Sequence, residues 1–334
     1  MKKSLLIAAT ASLMLSACNK DDGTDAAATS HFPEDGIIRV TTSVNEAVLT
    51  RASLTTETVS HFWLNVTTGD GSDPTYNYVR EIERQSDDGE WKTKGDPMLW
   101  KDDKTTIQVT ALQYGSKSFE ANDFTSRGWS WPHIDDQSTQ DKLNNADLLI
   151  MKPTTVDPQT DLDGNGAIKV TLTHGLAKID VTLTLNTQFF KDHLFPADIS
   201  DFTVTSYNKF LVNPTTPTAF EYAGDGNLST IPVKAFQSAH TDATAESSRS
   251  TATYECIVVP TLDKSSDKTT LTVRFAIGDK YYSWTSAETA LESGHRYAID
   301  LEVGDDAVTL APDGITATPW NAEQESNPAN LNTY

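Results

Sequence analysis

Asp161-Leu162-Asp163-Gly164-Asn165-Gly166-Ala167-Ile168 sets oxygen-bearing side chains at alternate positions, with glycine sixth and an aliphatic residue eighth. Those are the first eight positions of an EF-hand loop, which makes Asp161, Asp163 and Asn165 weak calcium candidates. The twelfth position, where a bidentate carboxylate is required, is Leu172. Hairpin-turn chemistry alone accounts for the same residues. Trp129 and Trp131 are two apart, so an extended backbone puts both indoles on one face. Exposed, they would form a platform for stacking on sugar rings; buried, they would cap the open end of a sandwich. His174 has no second ligand near it and reads as a hydrogen-bonded core residue. Ser293 and His295 are close in sequence, but they precede a strand and read as a turn. A pair of glycosidase carboxylates could sit among 47 Asp and Glu, since only spacing in space would reveal it. There is no HExxH, no Gly-x-Ser-x-Gly and no phosphate-cradling glycine loop. The expectation is a protein without catalysis, cofactor or metal.

Cys18 carries a different chemistry. It ends a basic start, Lys2-Lys3, and an apolar stretch from Leu5 to Leu15, which together form a secretory signal peptide over residues 1–17. The apolar stretch is shorter than the roughly 20 residues needed to span a bilayer. Leu15-Ser16-Ala17-Cys18 resembles the lipobox of bacterial lipoproteins, in which the cysteine thiol is acylated and becomes the new N-terminus. Asn19-Lys20-Asp21-Asp22 is similar to the export tag of Bacteroidetes surface lipoproteins. Residues 18–36 lack apolar periodicity and read as a lipidated, flexible tether. Fully extended, such a tether reaches at most ~60 Å.

Charge excludes one class of partner. With 26 Lys+Arg against 47 Asp+Glu the chain carries −21, and losing Lys2 and Lys3 makes the mature chain more acidic still. A nucleic-acid partner needs a basic footprint, and none exists. Of two cysteines, acylation of Cys18 leaves only Cys256, so neither an internal disulfide nor a thiolate cluster can form. Cys256 alternates with Tyr254 and Val258 and reads as a buried, inert thiol.

The elements that must position these residues are strands. Short alternating runs of Thr, Val, Ile, Tyr and Phe are bounded by Gly, Pro, Asn and Asp, which indicates an all-β chain built of sandwiches. A short polar helix is expected within 135–146. Leu271, Val273, Phe275 and Ile277 alternate up to Gly278-Asp279, and Lys280 to Trp284 returns. A two-residue turn then opposes 277 with 280, 275 with 282 and 273 with 284. Tyr297, Ile299, Leu301 and Val303 form another strand, and Ile38, Val40, Thr42 and Val44 a strand over 37–45. Ile168 to His174 is apolar on even positions and Ala177 to Leu185 on odd ones. The change of phase at Gly175-Leu176 predicts a bulge within one long strand. Length favours two domains. The division is expected in 189–200, giving sandwiches over 37–190 and 198–334, with 152–166 as the alternative linker.

Ala146-Asp147-Leu148-Leu149 and Val170-Thr171-Leu172-Thr173-His174-Gly175-Leu176-Ala177-Lys178-Ile179 resemble the fimbrillin-like proteins of Bacteroidales, the subunits of type V pili. Tyr254 to Pro260, Glu292 to Tyr297 and Ile315 to Trp320 fit the same pattern in order. The resemblance implies two tandem antiparallel sandwiches of transthyretin-like form and a lipoprotein precursor of the outer membrane. It also implies trimming after an arginine and assembly with other pilin subunits by strand exchange, with a role in cell adhesion. Arg51-Ala52 is where this chain matches the cleavage segment, although Arg51 could equally be a solvated loop residue. Ser60 to Val66 replaces the Trp/Gly/Asp-rich opening of one common family form, which leaves subfamily and cleavage open. The alternative function is a surface glycan-binding lipoprotein of a nutrient-uptake system.

Overall fold

The computed structural model describes residues 31–44, 54–69, 71–86, 89–125, 129–191, 198–212, 229–261, 269–304 and 307–319. Cys18, Arg51 and Ala52 lie outside them. The first half of the chain holds β1 (Arg39–Val44), β2 (His61–Thr68), β3 (Asn77–Arg84), β4 (Trp91–Thr93), β5 (Ile107–Tyr114), α1 (Ala121–Thr125), β6 (Trp129–Pro132), α2 (Gln140–Ala146), β7 (Leu148–Val156) and β8 (Ala167–His174). The second holds β9 (Ala177–Leu185), α3 (Gln188–Lys191), β10 (Ile199–Tyr207), β11 (Lys209–Val212), β12 (Thr230–Lys234), β13 (Phe236–Thr241), β14 (Thr251–Val258), β15 (Thr272–Ile277), β16 (Lys280–Thr285), β17 (His295–Val303) and β18 (Val308–Pro319).

Seven strands of the first half form one sheet in the order β1-β8-β7-β5-β2-β3-β4. It curls back on itself. Ile37 bridges Leu99 just beyond β4, and the Trp100 N–H donates to the Gly36 carbonyl at 2.8 Å. Phe62, Leu64, Val66, Val109, Ile168, Val170 and Leu172 fill the enclosed core. The alternation of β8 explains its part: Ile168, Val170 and Leu172 are buried while Lys169 points to water.

In the second half a five-stranded sheet, β13-β14-β9-β17-β18, shares a core with a four-stranded one, β12-β10-β15-β16. Val181, Cys256 and Ile299 come from the first sheet; Val204, Val273 and Phe275 come from the second. The β15–β16 hairpin pairs Ile277 with Lys280, Phe275 with Tyr282 and Val273 with Trp284, the register that its two-residue turn predicts. Gly278, in the turn, has φ 58°, which suits a residue without Cβ. Phe202 stacks on Tyr254 at 3.8 Å across the core.

Three expectations need correction. Residues 168–185 are not one bulged strand. β8 stays in the first sheet, whereas β9 pairs with β14 and β17 in the second. The phase changes at Gly175-Leu176 because two strands in different sheets have no common ladder to keep them in step. The step from one core to the other therefore falls at 175–176, in neither 189–200 nor 152–166, and β9 leaves the expected 37–190 unit. The sheets are also not wholly antiparallel: β1 runs parallel to β8 and β9 parallel to β17.

Candidate functional site

β1 is the edge strand of the first sheet, with a ladder to β8 alone and separate holds at its two ends. Its six residues run parallel to β8 from Arg39 opposite Ala167 to Val44 opposite Leu172. Ile38, Val40 and Val44 are buried, in line with the alternation expected over 37–45. At its start the Ile38 N–H donates to the Met98 carbonyl at 2.9 Å. At its end the Val44 N–H donates to Thr56 Oγ1 at 2.8 Å. The lead-in is packed as well: a Cβ on Gly166 would lie 2.5 Å from the His31 carbonyl oxygen. Full burial of Ile or Val is worth about 1.5–3 kcal/mol per side chain. Chain-ordering entropy of about 1–2 kcal/mol per residue opposes it. A strand of this kind is held by a modest net free energy. Vacated, its place would be a groove floored by Ile168, Val170 and Leu172 beside the unpaired edge of β8.

The two halves are joined by a dense polar and apolar seam. β6 of the first half pairs with β11 of the second, Trp131 opposite Phe210. Gln137 acts as a substitute strand. Its Nε2 donates to the Ile257 carbonyl at 2.8 Å, and its Oε1 accepts from the Ile257 N–H at 2.7 Å. His133 Nε2 lies 3.0 Å from the same carbonyl, so that nitrogen must carry the proton. Desolvation lowers the His133 pKa to about 4, against the opposing pull of that carbonyl. Leu112, Tyr114, Trp131, Leu143 and Leu148 pack on Leu176, Phe210, Ile257 and Val259 around these groups. On the outer face of β9 the buried Lys178 meets Glu255 at 2.8 Å, and Arg296 pairs with Asp180. Sequence reasoning found none of these polar partners. Each is a single residue in a loop or strand, set against a partner up to 124 positions away.

Residues 50–320 match the model of the fimbrillin-like family, most of the chain. The chain belongs to that family of fimbrial proteins. Crystal structures of candidate cell-adhesion proteins from Bacteroides uniformis and Bacteroides ovatus are similar in fold. Each aligns over 86% of this chain and 99% of its own, at 16% identity and TM-score 0.55. A C-terminally truncated tip fimbrial protein, Mfa3 from Porphyromonas gingivalis, aligns over 78% of this chain and 94% of its own, at 9% identity and TM-score 0.40. No curated protein matches the chain. The fimbrillin-like match starts at residue 50, so β1 precedes it entirely.

Within this fimbrillin-like fold the other sequence candidates take structural places. Asp163 Oδ1 accepts from the Asn165 and Ala167 N–H groups, and Asp161 Oδ2 from the Asp157 N–H. These carboxylates close the loop before β8, and Leu172 lies inside that strand. Trp131 is no platform. It is 4% exposed, with Tyr114 stacked on it at 5.9 Å and an angle of 20°. Trp129 shares β6 with it. Tyr114, Phe119 and Phe210 pack against Trp131 at the seam, a covering that the two-apart spacing could not reveal. His174 is buried with Nδ1 3.0 Å from Asp147 Oδ2, which also accepts from the Leu54 N–H. Burial, with Asp180 and Glu255 adding to it, pushes the Cys256 thiol up, away from reactivity.

Proposed function

We propose that this fimbrillin-like protein is a fimbrial subunit or accessory pilin, made as a precursor lipidated at Cys18 and held at the outer-membrane surface. Cleavage between Arg51 and Ala52 releases β1, and a strand from a neighbouring pilin subunit fills the groove. The polymer serves cell adhesion. The carrying observation is β1 itself, an apolar edge strand lying wholly upstream of the family match and just before a short segment with one arginine. β-Strand addition at such an edge supplies main-chain hydrogen bonds for affinity and side-chain pockets for register. The partners are other pilin subunits and the membrane; an acidic chain gives nucleic acid nothing to hold. The role is structural rather than catalytic. A nutrient-uptake glycan receptor built on an exposed Trp129–Trp131 platform loses its footing with Trp131 buried.

N-terminal sequencing of the protein on cells, with and without an arginine-specific protease, tests this reading. A new N-terminus at Ala52 that depends on the protease is expected. A surface-assembled protein that keeps residues 19–51 would overturn the strand-exchange part.

A further inference from the structure

Thr42 breaks the aliphatic pattern on the inner face of β1. Val40 and Val44 stand on either side of it at the two-residue period of a strand, and both are buried. Across the parallel ladder Thr42 lies opposite Val170, which sits between Ile168 and Leu172, all three buried. Thr42 Oγ1 is buried and meets no hydrogen-bond partner among the described residues. The hydroxyls around the groove are better served. Thr41 Oγ1, on the solvent side, donates to Asp163 Oδ2 at 3.4 Å. Thr56 Oγ1 accepts from the Val44 N–H at 2.8 Å and donates to the Val44 carbonyl at 3.2 Å. A buried hydroxyl without a partner has lost its water and gained nothing in return, which weakens the hold on the strand that carries it. A methyl group in the same place would fill the same space with no polar atom to satisfy.

We infer that β1 is a placeholder in this groove, and that the strand the groove selects carries a β-branched aliphatic residue where β1 carries Thr42. That strand comes from a neighbouring pilin subunit. It runs parallel to β8 and sets aliphatic residues at alternate positions over Ile168, Val170 and Leu172. The inference rests on the strand exchange proposed above. It adds the side-chain rule that chooses the incoming strand, and the reason exchange runs toward assembly: the newcomer buries no unpaired hydroxyl.

The probes are two synthetic peptides of residues 37–51, one native and one with Thr42→Val. Each is offered to the mature protein cut between Arg51 and Ala52, and displacement of the resident strand is followed by mass spectrometry. The Thr42→Val peptide should displace β1 at about a tenth of the concentration that the native peptide needs. In the uncut protein, Thr42→Val should slow hydrogen exchange about tenfold at the β8 amides from Ala167 to Leu172. Thr41→Val, which adds the same methyl on the solvent face, should leave that exchange unchanged. Equal competition by the two peptides, failure of both, or the same exchange in Thr42→Val as in Thr41→Val overturns the inference. The two readings fail separately. Equal competition beside a protein that does lose residues 19–51 on cells sinks the side-chain rule alone. A winning Thr42→Val peptide beside assembled fimbriae that keep residues 19–51 sinks the strand exchange instead.

Discussion

Placing a charge under β1 should detach it without unfolding the protein. Val40 is 7% exposed and faces the core between β1 and β8, while its neighbour Thr41 faces solvent. Val40→Asp forfeits about 1.5–3 kcal/mol of apolar burial. Keeping the carboxylate buried without a partner costs several kcal/mol more. A total near 5 kcal/mol shifts the docking equilibrium of the strand more than about a thousandfold. Because β8 supplies the one ladder along β1, with further holds only at its two ends, the chain escapes this cost by releasing the strand, and the rest of the core stays intact. Hydrogen exchange should then accelerate at β8 residues Ala167 to Leu172, with β5 and β14 unchanged. The vacated groove should drive multimerisation, and added peptide 37–51 should suppress it. Thr41→Lys, beside Asp163 on the solvent side, should leave exchange and mass unaltered. A Val40→Asp protein that stays monomeric with β8 fully protected would refute the reasoning, because the strand would then be held by something other than its buried face.

Gln137→Leu should leave the Ile257 N–H unsatisfied, at about 1–3 kcal/mol, while the Ile257 carbonyl keeps His133 Nε2. A lower Tm, or a calorimetric scan split into two transitions, would register the loosened seam; an unchanged scan would deny Gln137 its clamping role. His133 is neutral in the fold, with its pKa lowered to about 4 from 6.5. Between pH 6.5 and 4 the unfolded chain takes up a proton that the folded one refuses, so stability falls with pH by ~3 kcal/mol in all and levels off below. In His133→Gln that part of the pH dependence should vanish from a plot of Tm against pH. Cys18→Ala should abolish membrane association, and palmitate labelling that survives the change would reject the anchor.

Much of the chain was legible because it is locally encoded. The β15–β16 register follows from a two-residue turn and an alternation that agree. The inward faces of β1 and β17 follow from period two alone. α2 begins where Thr139 can cap it, accepting from the Lys142 N–H, inside the span expected for a short helix.

Periodicity states which face of a strand is buried but never which strand lies beside it. That β1 runs parallel to β8, more than 120 residues on, was decided by competition among all available edges. The same limit made β8 and β9 look like one strand: the glycine between them is equally suited to a bulge and to a crossing between sheets. Gln137, His133 and Lys178 look like ordinary polar residues in sequence, since their roles exist only once a distant backbone or carboxylate arrives beside them. For Trp131 the spacing set the face, and only the docking of β6 on β11 determined that this face is covered.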